Sequence, residues 1–554
     1  MRYLVLTLGT PASGKSTWID KNGLRGYTLE PDDLRLKIKS PVLTLDGEYT
    51  ISQRYDRQVW KMLFDILEER MLKGEFTVID ATHSSTKMLN AYKDLIKKYR
   101  YRVLVVDFRN IDLETILERN KNRLPEYKKV PEMAIKNIYE RCKTLEIPNK
   151  YEVISSEDGE FQKWKEEKEK LYDFSEYPKI NIFGDIHGCF DELMALRNQM
   201  GITENDYNIF AGDYFDRFRN VDELIQLFEF LESLDPKKNM FLMGNHEKWF
   251  MLYSEWVELN NAKDESKLDS IKEKINTLKE RIKQLDPEDI NQRDQLIKKL
   301  RKLENKLENT KRNIIVAQKE YDEKIRNVIP KDTRQTFFEL TKAFGEKRVK
   351  MFGTRLAQLA YFKYHDKTIL VNHAGITSLP NVLMSSSEFM YGPGKYGDEE
   401  EIAQFWTEKY PDIIQVFGHR NIYNIDTKQG NCYLINGNAE LGGAEGKLRA
   451  ISILPNEIKI FEQASFKERN NMFPEWEKEI LERKLKESKE MVDELGIIEA
   501  SKRHRGIQVN LANEYQKIYS INFKSSVFKS GTFDALSIHA RGLFVQKIEG
   551  EKND

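Results

Sequence analysis

An α/β fold built from successive domains is what this sequence predicts, and three observations carry that reading. The chain has 554 residues, too many for one hydrophobic core, so two to four domains are expected. Short apolar β-type runs at 3–8, 76–79 and 103–107 alternate with helical patterns. That is the βαβ series of a parallel sheet with helices on both faces. Four further apolar runs, at 180–183, 207–211, 239–243 and 368–372, each lead straight into a segment bearing histidine, asparagine or aspartate. Polar groups are therefore expected at strand ends, where they can converge on one point.

Composition narrows the function classes. Hydrophobic content is 40% and charged content 32%, yet the net charge is −1. No global basic field draws in long polyanions, so nucleic acid would bind through local patches at a terminus or a break. The three cysteines, Cys142, Cys189 and Cys432, are widely separated and form neither a metal spacing nor a disulfide framework. A reducing, cytoplasmic setting is expected. The apolar start at 1–8 runs directly into a glycine loop and reads as a buried strand, not as a signal peptide. No apolar run reaches membrane-spanning length, so no membrane partner is expected.

The first chemistry-bearing motif is Gly9-Thr10-Pro11-Ala12-Ser13-Gly14-Lys15-Ser16, placed between a strand and a helix. In that context it reads as a loop for a nucleoside triphosphate. The backbone around Gly9, Ser13 and Gly14, with the helix start behind it, presents N–H groups to phosphate oxygens. Lys15 reaches the outer phosphates. Ser16 offers a hydroxyl to Mg²⁺, with Thr17 assisting. Asp80 ends the second apolar run in Asp80-Ala81-Thr82-His83 and faces the substrate, or else caps a turn.

Behind that loop come Asp32-Asp33-Leu34-Arg35, Asp80, and Arg119-Asn120-Lys121-Asn122-Arg123 followed by Val130-Pro131. In this order they resemble the bacteriophage and bacterial polynucleotide 5′-kinases over about residues 1–150. The resemblance implies ATP or GTP with Mg²⁺ and assigns Asp32 as the base that deprotonates a 5′-hydroxyl. It gives Arg35 to the acceptor's phosphate, and Arg119 and Arg123 to a lid over the nucleotide phosphates. The residues alone leave two alternatives open. Asp32 and Arg35 also fit an exposed i,i+3 ion pair, and a kinase for a small molecule would keep Lys15 and the arginines.

The second set is Gly184-Asp185-Ile186-His187-Gly188, Gly212-Asp213-Tyr214-Phe215-Asp216-Arg217, Gly244-Asn245-His246-Glu247, then His373 and His419. Four of the chain's 8 histidines fall in these signatures. Imidazoles and hard oxygen donors in one cluster suit a pair of divalent ions that clamp a phosphate and ionise a water. Order and spacing resemble the calcineurin-like metallophosphoesterases, especially their phosphoprotein-phosphatase branch, over about 178–460. That implies an α/β sandwich and two divalent metals, with Mn²⁺ expected. Asp185 and His187 would hold the first ion, Asp213 would bridge, and Asn245, His373 and His419 would hold the second. His246 would protonate the leaving oxygen, oriented by Asp216, while Arg217 holds the phosphate. Phe218 and Ala374 stand where the family usually has glycine, which puts the substrate range in doubt.

Between these signatures, about 253–330, apolar residues recur three and four apart: Leu268, Ile271, Ile275, Leu278, Ile282 and Leu285, then Leu296, Leu300, Leu303 and Leu307, with Ile314 beyond. Asp286-Pro287-Glu288-Asp289 interrupts them. An inserted antiparallel helical hairpin of coiled-coil type is expected. It is either a tolerated insertion or a docking arm for a partner or RNA.

The last stretch reads as helical over 473–495, basic at Lys502-Arg503-His504-Arg505, then β-like. Segments 518–528 and 538–545 resemble the opening strands of bacteriophage-type RNA ligase domains. Lys547-Ile548-Glu549-Gly550 matches a Lys-x-acidic-Gly ligase signature but reads as a hydrophilic turn, so the chain is not expected to ligate by itself. A small α+β extension remains: a truncated ligase segment, a piece that pairs with a ligase chain, or a plain β-rich appendage.

The expected domains are thus 1–170, a P-loop kinase; 171–465, a metallophosphoesterase sandwich; and 466–554, the extension. The expected function is healing of broken RNA or DNA ends in a bacterial cell or a phage-infected host. A 5′-hydroxyl would gain a phosphate, and a 3′-phosphate or 2′,3′-cyclic phosphate would be removed. The alternatives are a signalling enzyme, joining a protein or dinucleoside-polyphosphate phosphatase to a small-molecule kinase, and a non-catalytic RNA scaffold. RNA or DNA ends, a ligase domain or chain, and a second copy of the chain are the candidate partners.

Overall fold

The computed structural model describes residues 2–284, 290–395, 397–420, 426–442, 446–466, 507–510 and 518–521. Residues 1–466 form one compact unit and 467–554 a second.

The first unit opens on a five-stranded, all-parallel sheet in the order Thr28–Leu29, Thr77–Ile79, Tyr3–Leu8, Arg102–Asp107, Glu152–Ser155. The central strand shows why its sequence is apolar apart from Thr7, whose hydroxyl bonds the Ile79 and Ala81 carbonyls. Successive side chains point to opposite faces. Leu4, Leu6 and Leu8 pack with Leu63, Leu67 and Met71 of the helix Asp56–Lys73 on one side. Tyr3 and Val5 pack with Trp18, Ile19, Phe161 and Trp164 on the other. A strand covered on both faces favours apolar residues.

Two six-stranded sheets follow. One runs Leu356–Ala357, Asn239–Leu242, Tyr207–Phe210, Ile180–Phe183, Lys447–Ile453, Ile458–Ala464. The other runs Lys428–Gln429, Cys432–Leu434, Ile413–Phe417, Lys367–Val371, Ala360–Tyr364, Tyr172–Asp173. They face each other across Ile180, Ile182, Ile209, Phe362, Ile369, Val371 and Val416. Outside the first sheet, Phe183, Phe210 and Phe241 meet Leu193 and Leu196 of helix Phe190–Gln199 and Leu224 and Phe228 of helix Val221–Ser233. Outside the second, Leu370, Phe417 and Leu434 meet Ile402 and Trp406 of helix Glu399–Lys409. The result is a sandwich of helix, sheet, sheet and helix layers.

A buried amide ladder crosses the first sheet. Ser452 Oγ donates to Asn181 Oδ1 at 2.7 Å, Asn181 Nδ2 to Asn208 Oδ1 at 3.0 Å, and Asn208 Nδ2 to Asn239 Oδ1 at 3.0 Å.

The heptad segment forms two 39-residue helices, Asn245–Lys283 and Ile290–Val328, which pack on each other. Ile271, Ile275 and Leu296 are buried in their seam, and Lys279 pairs with Glu304 at 3.4 Å. The intervening Asp286-Pro287-Glu288-Asp289 lies outside the described residues. One difference from the sequence reading matters. The first helix does not begin near 253 but at Asn245, so the hairpin grows out of a signature segment instead of being spliced in beyond it.

The kinase-like sheet and the sandwich touch through a small set of contacts. Arg2 Nε donates to Ser386 Oγ at 2.9 Å, Ser386 N to the Gly74 carbonyl at 3.1 Å, and Ser387 Oγ to the Lys73 carbonyl at 2.7 Å. In the second unit, strands Ile507–Asn510 and Ile518–Ile521 pair antiparallel. The expected helix at 473–495, the basic run at 502–505 and the ligase-like segments 522–528, 538–545 and 547–550 lie outside the described residues. Among the described residues no helix is long and apolar enough to cross a membrane.

Candidate active sites

In the sandwich, the signature residues follow the carboxyl ends of adjacent parallel strands. Asp185 follows Ile180–Phe183, Asp213 follows Tyr207–Phe210, and Asn245 follows Asn239–Leu242. From the facing sheet, His373 follows Lys367–Val371 and His419 follows Ile413–Phe417. This edge is where ligands collect in parallel sheets.

Asp213 is the hub. Its Oδ2 lies 3.3 Å from His373 Nε2, 3.6 Å from His187 Nε2 and 4.0 Å from His246 Nε2. His373 Nε2 is also 3.1 Å from Asn245 Oδ1. Ligand atoms of His187, Asp213 and His246 form one tight group, and those of Asp213, His373 and His419 a second that shares Asp213. Asp185 accepts the backbone N–H of His419 on Oδ2 at 2.9 Å, while its buried Oδ1 has no hydrogen-bond partner.

Two observations show that this donor set fits divalent metals. The first is the orphaned Asp185 Oδ1: an unpaired buried carboxylate oxygen is costly unless a cation meets it. The second is how the imidazoles are held. Nδ1 of His187 faces the Asp216 carbonyl at 3.2 Å and Nδ1 of His373 faces the Ala211 carbonyl at 2.9 Å. With Nδ1 of each ring turned to a carbonyl, Nε2 is the atom left facing Asp213 and is the one that would meet a metal, the second nitrogen being held as metal-ligating histidines require.

Local backbone is spent on this arrangement. His187, Asp213, Arg217 and His419 have φ of 46°, 54°, 66° and 63°, a region that side chains other than glycine adopt at a cost. Neighbouring glycines make the room. A Cβ on Gly244 would strike Asp213 Oδ1, and one on Gly418 would strike Asp185 Oδ1.

His246 sits beside the cluster, and its Nδ1 is 2.7 Å from Asp216 Oδ2. Burial opposes a charge on its ring, but the Asp213 and Asp216 carboxylates prevail and raise its pKa to about 9. The same contest raises His373 to about 9, whereas burial carries His187 down to about 4. Burial and the Asp213 charge hold the Asp185 carboxyl up at about 7.

Four participants were given no role from the sequence. Glu440 is buried, 2.9 Å from Arg217 Nη1 and 4.0 Å from His187 Nε2. Glu247 accepts the backbone N–H groups of Asp213 at 2.7 Å and Tyr214 at 2.8 Å, which fixes the hub's loop. Thr333 Oγ1 donates to Asp216 Oδ2 from the helix that follows the hairpin, Lys331–Phe344. The Arg420 guanidinium is buried and donates to the carbonyls of Ala374 at 3.1 Å and Pro393 at 2.6 Å, pinning the loop after His373. A buried-acid reading of Glu247, next to His246, could have been made from the motif. Arg420 directly follows the signature residue His419, while Glu440 and Thr333 belong to segments with no such signal.

In the kinase-like part, strand Tyr3–Leu8 delivers the glycine loop to helix Lys15–Lys21. Gly14 has φ 97°, which only glycine takes freely. Gly9 N donates to the Thr82 carbonyl at 3.1 Å, tying the loop to the segment after Asp80. Lys15 Nζ donates to the loop's own carbonyls, Gly9 at 3.0 Å and Thr10 at 2.7 Å. Burial lowers its pKa to about 8. Ser16 Oγ donates to Asp80 Oδ2 at 2.6 Å, so Asp80 lies on the Ser16 side of the loop. Ser13 and Thr17 flank the loop and the first helical turn.

Arg35 joins two acids, Asp32 at 2.6 Å and Asp56 at 2.7 Å. The i,i+3 ion pair is thus present, and its guanidinium is largely buried. From the other side, Arg119 Nη1 reaches the Ser13 carbonyl at 3.4 Å, and Arg123 Nη1 bonds the Lys128 carbonyl at 2.8 Å. His83 is a satisfied core residue, with Nδ1 2.7 Å from the Thr7 carbonyl and Nε2 2.9 Å from Tyr92 Oη.

Comparison with known proteins agrees with this division. Residues 4–145 match the family model described as AAA domain, and residues 178–419 match that of the calcineurin-like phosphoesterases. An uncharacterized Caenorhabditis elegans protein is 35% identical over 82 residues, 13% of this chain and 32% of its own length. A candidate serine/threonine-protein phosphatase of the same organism is 38% identical over 68 residues, 12% of this chain and 15% of its own length. The chain thus spans about a third or less of these relatives. A Saccharomyces cerevisiae protein serine/threonine phosphatase with similarity to human phosphatase PP5 has 12% identity and a TM-score of 0.31, covering 54% of this chain and 85% of its own. The chain joins a P-loop kinase-like domain to a calcineurin-like phosphoesterase domain, and phosphoesterases of that kind use divalent metals.

Proposed function

We propose that the chain is an enzyme that heals broken polynucleotide ends, with RNA the first substrate to test. The kinase-like site phosphorylates a 5′-hydroxyl. The phosphoesterase site removes a 3′-phosphate, or opens and removes a 2′,3′-cyclic phosphate. The observation that carries this reading is that both sites occupy one compact unit, with an acid–guanidinium pair, Asp32 and Arg35, set beyond the phosphate loop where an acceptor bearing its own phosphate would lie. Both kinds of end arise at the same break, so joining the two activities raises their effective concentration on it.

In the kinase-like site, phosphoryl transfer asks mainly for positioning and charge neutralisation. Lys15 leaves its loop carbonyls for the outer phosphates, and Arg119 and Arg123 close from the lid. Ser16 and Asp80 together provide the oxygen donors on the Mg²⁺ side. Asp32 takes the acceptor's proton, while Arg35 holds the adjacent phosphate.

In the phosphoesterase site, Asp185, His187, Asp213, Asn245, His373 and His419 would hold two divalent ions, with Mn²⁺ the first to test. When bound, these ions supply charge neutralisation and an ionised water. Arg217, backed by Glu440, orients the phosphate. His246, held in its charged form by Asp216, hands a proton to the leaving oxygen.

The test is incubation of the full chain with ATP, Mg²⁺, Mn²⁺ and an RNA bearing 5′-hydroxyl and 2′,3′-cyclic phosphate ends. Analysis of both termini should show 5′-phosphate and 3′-hydroxyl. Labelling of nucleosides or sugars with no labelling of the oligonucleotide overturns the reading.

A further inference from the structure

An open cleft of about 550 Å³ lies in the kinase-like part, away from the phosphate loop. Its walls come from two places. One is a small hairpin, Val42–Leu43 paired with Tyr49–Thr50, turned at Gly47 with φ 84°. The other is the short helical turn Glu126–Lys128, which follows the segment carrying Arg119 and Arg123. Tyr49 and Tyr127 both line it, together with Ser40, Glu48 and Glu126. Tyr49 is 56% exposed, and its cross-strand neighbour Leu43 is 63% exposed, so the aromatic surface is open to a ligand.

Position and chemistry both bear on the occupant. Ser40 lies just past the end of the helix Pro31–Ile38, whose first turn carries Asp32. Six helical steps and two extended ones separate the backbones of Asp32 and Ser40, so the cleft begins within about 15 Å of Asp32. That is one or two nucleotides along an extended strand whose end meets Asp32. Tyrosine rings offer flat apolar faces for stacking, the device by which unpaired bases are held. Glu48 can accept from a base's amino or imino N–H and repels phosphate oxygens. Glu126 is already paired with Lys129 at 3.3 Å, an exposed contact that water screens. A cleft that carries acids and aromatics suits a base and not a phosphodiester.

We propose that this cleft holds an unpaired nucleobase of the acceptor strand, one or two nucleotides inside the 5′-hydroxyl end, against Tyr49 and Tyr127. The proposal rests on the polynucleotide-kinase reading and adds to it a requirement for a single-stranded 5′ end, because a paired base cannot turn into the cleft.

The experiment uses the full chain and a single-stranded 5′-hydroxyl hexanucleotide with 2-aminopurine at its second or third position. Stacking quenches that fluorophore. The expected result is quenching by the native chain, with Tyr49→Ala and Tyr127→Ala each weakening binding about tenfold and Tyr→Phe at either position retaining the quench. Thermal unfolding of each variant near the native temperature shows that the fold is intact. Equal quench and affinity in both alanine variants overturns the proposal. So does capture of an arginine-rich peptide by the cleft with no quenching of the oligonucleotide. A separate arm distinguishes the underlying reading: the native chain is given a nucleoside 3′-monophosphate, too short to reach the cleft. Phosphorylation there with tyrosine-independent quenching rejects the cleft alone. Tyrosine-dependent quenching without phosphorylation of any 5′-hydroxyl upholds the cleft and rejects the kinase.

Discussion

The two sites handle the same chemical group in opposite electrostatic states. In the phosphate loop the principal polar groups already have partners within the chain. Lys15 rests on the carbonyls of Gly9 and Thr10, Ser16 on Asp80, and Arg35 on Asp32 and Asp56. At the sandwich edge the charges are gathered but not balanced. Asp185 Oδ1 has no hydrogen-bond partner, Asp213 lies among four imidazoles, and four residues hold backbone angles that side chains resist. The first site is self-neutralised and must rearrange to receive its ligand. The second is held in a shape suited to cations.

That contrast can be broken most forcefully by removing one hub at a time. Asp213→Ala should lower phosphoesterase turnover on a generic phosphate ester by about a thousandfold and leave turnover at the kinase-like site unchanged. Lys15→Ala should do the reverse, by about a hundredfold or more. Parallel assays of both activities in each variant check the pair, and loss of both activities in either variant would show the sites to be interdependent.

A smaller effect tests the support around His246. Thr333→Val removes a hydroxyl from Asp216 without touching the imidazole. Phosphoesterase kcat should fall about tenfold, as for other partners one step behind a site. An unchanged kcat would mean that His246 and the Thr336 hydroxyl suffice to fix Asp216.

The self-neutralised loop predicts a pH dependence. In the nucleotide-free chain Lys15 loses its proton near pH 8, below the ordinary range for lysine. Phosphate binds the charged amine, so ATP affinity should be level below pH 8 and fall toward tenfold per pH unit above it. Calorimetric titrations across pH 7–10 measure this, and Lys15→Arg should flatten the curve. A flat native curve would show that the amine stays charged in its carbonyl cradle.

The mildest perturbation addresses the junction of the two parts. Gly74 has φ 76°, and a Cβ there would strike Ser386. Gly74→Ala should cost about 1 kcal/mol and lower the unfolding midpoint with both activities retained.

What the sequence made legible follows from how local each signal is. The glycine loop needs consecutive residues, so its strand and helix could be placed from the text alone. Asp185, His187, Asp213, Asn245, His373 and His419 sit in short segments directly after apolar runs, and parallel pairing brings those run ends to one edge. Glu440 and Thr333 were not legible. Each meets its partner across a separation of more than a hundred residues, and neither is flanked by a motif. The hairpin's periodicity was plain in Ile271, Ile275 and Leu296, but its starting point was not. A helix that begins on a signature residue shows no break where the signature ends.

The amide ladder has a consequence of its own. Sliding any of its four strands by one residue would turn an asparagine or serine outward and strand its neighbours' donors among hydrocarbon. The row works like a row of keyed pins: only one alignment lets every pin seat, so mispaired sheets are rejected while the chain folds. It also means these positions must change together, since replacing Asn208 takes bonds from both Asn181 and Asn239.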